Sequence, residues 1–140
     1  MRPLPIDVKR IARNSSVKAY IVSESGLVLN ALLKDGRAVR IIQLTCIHSG
    51  AEAAMWFDSS ASLTDIPLWL EKALELSKIA FQPNIAREIE ELIRSGNYFR
   101  DEADETRLRI SAAPGEYIHY TFVVSKAEQG YMLVISYIEG

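Results

Sequence analysis

The sequence predicts a single α+β domain. It reads as a four-stranded antiparallel β-meander, two helices packed on the sheet, then three further antiparallel strands, in two layers. Three observations lead there. Short β-prone runs between Val17 and Phe57 are separated by glycine-bearing pairs. From Ile66 to Ile93 the apolar residues recur at helical spacing. After Thr106, alternation at every second residue returns.

Residues 1–16 form an N-terminal arm, with a short helix over Ile6 to Arg13 weakly signalled. The meander then runs through Val17 to Glu24, Leu27 to Lys34, Arg37 to His48 and Ala51 to Phe57. Its punctuation is Ser25-Gly26, Asp35-Gly36 and Ser49-Gly50. Asp-Gly is the strongest of these signals, because a type I′ turn needs positive φ at both central residues. Three reversals in so short a span make sequential pairing the economical arrangement.

A polar link from Asp58 to Ser62 leads to Thr64, expected to cap a helix whose first turn holds Asp65 and Pro67. Ile66, Trp69, Leu70, Ala73, Leu74, Leu76, Ala80 and Phe81 mark its apolar side. Glu71–Glu75 should repel mildly, and Glu75–Lys78 should attract. Pro83 ends this helix and Asn84 is placed to cap the next. In that second helix Ile85, Ile89, Leu92 and Ile93 share one face. Gly96 supplies a left-handed C′ residue.

An acidic segment, Asp101 to Glu105, precedes the last three strands: Thr106 to Ala112, Glu116 to Ser125 and Tyr131 to Ile138. Pro114-Gly115 suits a type II turn. In the first of these strands Thr106, Leu108, Ile110 and Ala112 fall on one side, and Arg107, Arg109 and Ser111 on the other. The last two are bulky on both faces, which places at least one in mid-sheet. No internal repeat is strong enough to establish duplication.

Composition narrows the function. Apolar residues make up 49% and charged residues 24%, which suits a packed domain and not a disordered chain. A net charge of −2 argues against a general nucleic-acid binder. The single cysteine permits a reducing compartment. Met1 to Arg10 lacks the apolar run of a signal peptide, and no stretch is long enough for a transmembrane helix. A cytoplasmic location with no membrane contact is expected.

Charge is unevenly spread. Residues 1–40 hold eight basic side chains against three acidic ones, whereas residues 88–105 hold seven acidic against two basic. Such a chain is bipolar if the two regions stay apart, and neutralised if they meet.

Chemistry-bearing residues are sparse. Cys46 and His48 would share a strand face, the pairing that activates a thiol, although such dyads are normally assembled from distant segments. With His119 they are the only soft metal ligands, and no spacing joins them. The acids at Glu88, Glu90, Glu91 and at 101–105 read as a solvated surface. No catalytic residue, cofactor or metal is therefore expected.

Three functional readings remain. The first is a non-enzymatic protein-interaction module, self-associating or binding a protein partner. Tyr98, Phe99 and Arg100 would be its anchors, because two large rings follow a helix cap beside an arginine. The second is a single-stranded nucleic-acid binder using a basic sheet face with Lys18, Lys34, Arg37 and Arg40. The third is a small-ligand binder or enzyme with an apolar pocket between sheet and helices, and Tyr117, His119 or His48 at its mouth.

Overall fold

A computed structural model describes residues 6–44, 49–58, 62–103, 107–112, 118–128 and 130–139. The elements follow in the order α1 (Val8–Ala12), β1 (Val17–Val22), β2 (Val28–Leu33), β3 (Ala38–Leu44), β4 (Ser49–Phe57), α2 (Ile66–Ala80), α3 (Pro83–Ser95), β5 (Phe99–Ala103), β6 (Arg107–Ala112), β7 (Ile118–Lys126) and β8 (Tyr131–Glu139). The class is α+β, with one eight-stranded antiparallel sheet and three helices among the described residues.

The sheet order is β1-β2-β3-β4-β8-β7-β6-β5. Each half is a meander whose last strand is central, and β4 meets β8 antiparallel from Ser49↔Glu139 to Phe57↔Tyr131. The order therefore reads alike from either edge, about the Ala53↔Ile135 pair. Sequential pairing holds within each half, while the join at the centre links residues far apart in the chain.

Five local expectations are corrected. Phe99–Ala103 is an additional strand, so four strands follow the helices and not three. Its charged sequence carries little β-propensity, and its pairing with β6 contains a bulge between Arg100 and Glu102. Ser49-Gly50 lies inside β4 and is not a turn. There Gly50 is needed for close approach, since a Cβ would sit 2.2 Å from the Tyr137 carbonyl oxygen.

The helix starts shift by a residue or so. Asp65, not Thr64, caps α2, accepting from the Leu68 N–H. Pro83 opens α3 at its first turn, with Gln82 and not Asn84 at the cap, because proline's fixed φ suits that position. Finally, Asp35 does not take positive φ; Gly36 does, at +94°. The hairpin closes over three residues, with Leu33 N–H bonded to Arg37 O. That is a type I turn followed by a left-handed glycine. Gly26 and Gly96 also adopt positive φ.

Alternate strand residues point to the helices and form the core. Leu29, Val39, Ile41, Met55, Leu108, Ile110, Phe122, Leu133 and Ile135 are buried there with Trp69, Leu76 and Ile89. The helix α2 packs on β4 and β8, and α3 packs on α2. Tyr120 Oη donates to Glu88 Oε1, tying α3 to β7. At the C-terminal end of α2, Arg10 of α1 donates to the carbonyls of Ile79 and Ala80 at 3.2 and 3.1 Å. These bonds satisfy acceptors that the end of a helix leaves open.

Arg37 is a structural clamp. Its guanidinium donates to Asp35 at 2.7 Å, to Glu75 on α2, and to the Met55 sulfur at 3.4 Å. The bond from Arg37 holds the Glu75 carboxyl below its ordinary value of 4.5, outweighing partial desolvation. A depressed carboxyl contributes stability above its unfolded pKa and loses it as pH falls through the folded one. Glu75→Gln should therefore lower stability by about 1 kcal/mol near neutral pH, the value of a half-exposed charged hydrogen bond. Urea unfolding from pH 7 down to about 3 checks this: the wild type and variant should converge once Glu75 protonates. Equal stability at pH 7 would remove the clamp.

Candidate interaction surface

The register relays one set of strand residues across the sheet on the side away from the helices. One row runs Ile21, Asn30, Arg40, Ala54, Val134, Val123, Arg109. The next runs Leu32, Ala38, Trp56, Met132, Ser125, Arg107. A third holds Val28, Ile42, Glu52, Ser136, Thr121, Ser111 and Phe99. No described element packs over these rows.

That face carries unusual apolar exposure. Ile21 is 76% exposed, Phe99 57%, Ile138 42%, Leu32 40% and Trp56 38%. Between them Val28, Ile42, Met132, Val134 and Val123 are half-buried. Scattered exposed hydrophobics are ordinary, but several on one sheet face make that face a candidate contact surface. Polar groups thread it: Arg40 Nε donates to Asn30 Oδ1 at 2.9 Å, and His119 stands exposed beside Ile138.

The sheet's edges are less inviting to a partner strand. Both edge strands carry a bulge, at Lys18 in β1 and between Arg100 and Glu102 in β5. Bulges and charges at edges oppose strand addition. The backbone also sets basic-flanked β1 and acidic β5 at opposite edges.

The sequence-predicted site residues are dispersed. Phe99 lies on the open face, whereas Tyr98 packs half-buried against the core. Arg100 is exposed at the β5 edge, in register with Ile110 on the helix side. Arg40 belongs to the open face, Lys18 to the β1 bulge, Lys34 to the β2–β3 turn, and Arg37 is engaged by Glu75. Cys46, His48, Tyr117 and the Pro114-Gly115 pair lie outside the described residues. Among the described residues no three metal-ligating side chains converge.

Three concavities are shallow or small. A groove of about 760 Å3 lies beside the Arg37 clamp, lined also by Trp56, Asp58 and Lys72. Another, of about 480 Å3, runs along the α2–α3 junction between Arg13, Lys78 and Arg87. There Glu90 is paired with Lys78 and Arg94, each at 2.9 Å, and the Lys78 bond holds its carboxyl below the ordinary value. The third, about 120 Å3 beside Arg10, Gln43 and Tyr137, has room for a few waters.

Leu32 and Ile138 were not singled out because they sit in β-prone runs that read as core, and for Trp56 a surface platform, a ligand cavity and a core were all open from the sequence. Only the strand order shows which side is covered. No helix among the described residues is long and apolar enough to cross a membrane. The chain matches no family model, no curated protein and no solved structure.

Proposed function

We propose that this chain is a non-enzymatic protein-interaction module, of adaptor, chaperone-like or inhibitor type. It acts in the cytoplasm and binds through the open face of its sheet. The observation that supports this reading is the exposure of Ile21, Leu32, Trp56 and Ile138 on that one face, with half-buried Val28, Ile42, Met132 and Val134 among them. Apolar side chains held on a rigid, hydrogen-bonded sheet lose little conformational freedom on binding, so their burial converts efficiently into affinity.

A photo-cross-linking residue at Val134, mid-face, tests the reading. A discrete protein adduct is expected from position 134 and none from position 94, an exposed site on α3. No adduct from position 134 would dismiss the face as an interface.

A nucleic-acid reading draws on Arg40, Arg107 and Arg109, which share the open face with Trp56 and Phe99. Its signature is affinity for single strands that falls steeply with salt. The acidic pI of 5.7 weighs against it.

A further inference from the structure

We infer that the occupant of the open face is a second copy of this chain, its sheet stacked face to face on the first. The inference rests on reading that face as an interface. Three features of the face favour a copy over an unrelated protein.

The first is extent. Eight strands about 4.8 Å apart and about seven residues long present on the order of 900 Å2. A stable interface takes about 800 Å2 from each partner.

The second is shape. Two sheets with the same right-handed twist pack face to face with their strands nearly aligned, so a copy supplies a matching curvature without adjustment. The palindromic strand order adds to this, because both halves of the face have one outline about the β4–β8 seam.

The third is chemistry along that seam. Trp56 is in register with Met132, Ala54 with Val134, and Glu52 with Ser136. A two-fold axis parallel to the seam exchanges β4 and β8, so each residue meets the registered partner of the other copy. Trp56 then lies against Met132 of the second copy, a favourable sulfur–aromatic contact, and small Ala54 receives Val134. The Glu52 carboxylate meets a serine hydroxyl that can donate to it, and no like charges are opposed at the centre. Arginines stand outward of this seam on β3 and β6.

Sedimentation velocity on the full chain decides the matter. At about 50 µM, above the micromolar Kd of even weak interfaces of this size, the wild type should sediment at twice 15.7 kDa. Trp56→Asp and Val134→Lys should each sediment at 15.7 kDa with an unchanged circular dichroism spectrum. Two variants are used so that misfolding of one leaves the other decisive. A monomeric wild type overturns the inference, as does a dimer that survives in a folded variant. If position 134 cross-links to a protein of another mass while the wild type is monomeric, the copy is wrong and the interface reading stands. If it cross-links to nothing, both fall.

Discussion

Trp69→Ala is expected to lower stability by about 3–5 kcal/mol, a large share of the roughly 5–15 kcal/mol available to a domain. The side chain is 1% exposed, with ring centroids 4.8 Å from Tyr131 and 5.8 Å from Phe57. It closes the space between α2 and the ends of β4 and β8. Its indole N–H also donates to the Ser62 carbonyl at 3.0 Å, anchoring the segment that enters α2. Alanine leaves a cavity among rings that cannot close on it and removes that bond. Trp56→Ala is the internal control: on the open face it should cost far less in an isolated chain. Urea unfolding of both variants gives the comparison, and equal losses would mean that Trp56 is as deeply packed as Trp69, contrary to an open face.

The second large effect is at Gly130. Its φ of +80° disfavours any side chain, and a Cβ there would lie 2.3 Å from the Phe57 carbonyl oxygen and 3.1 Å from Asp58 Cα. These are backbone atoms at the end of β4, so relief requires β8 to part from its central neighbour. Gly130→Ala should cost about 2–4 kcal/mol, combining left-handed strain with overpacking. Gly36→Ala separates the two terms. That position has φ of +94° but nothing within 4 Å of the added carbon, so only the strain of about 1–2 kcal/mol remains. Thermal unfolding should rank Gly130→Ala below Gly36→Ala; the reverse order would contradict the close approach of β8 to β4.

These sites show where the sequence was legible. Gly26, Gly36 and Gly96 punctuate the chain and do take positive φ. Alternation over 107–112 correctly divided Leu108, Ile110 and Ala112 from Arg107, Arg109 and Ser111. Local chemistry carries such features, since a turn or an alternating strand is encoded within a few residues. Other features are not local. The pairing of β4 with β8 joins segments about 80 residues apart, and nothing within either strand specifies the other. Gly50 misled because a glycine needed for close approach looks the same as one needed for a turn. The strand β5 was obscured because an edge strand bonded on one side can carry acids that a central strand would exclude.

The candidate surface was the least legible part. Arg37 looked like an available cation, and its guanidinium is engaged by Asp35 and Glu75. Phe99 was singled out, but its neighbour Tyr98 turns to the core. Exposure of Trp56 or Ile138 depends on which sheet face the helices cover, and that follows from tertiary packing.

Acrylamide quenching of tryptophan emission against protein concentration tests the central claim most directly, because the two indoles lie on opposite faces. In dilute solution Trp56 should be quenched and Trp69 protected; as concentration rises, the accessible fraction should vanish. A Trp56 that stays fully accessible in concentrated solution would contradict a sheet face covered by a second copy.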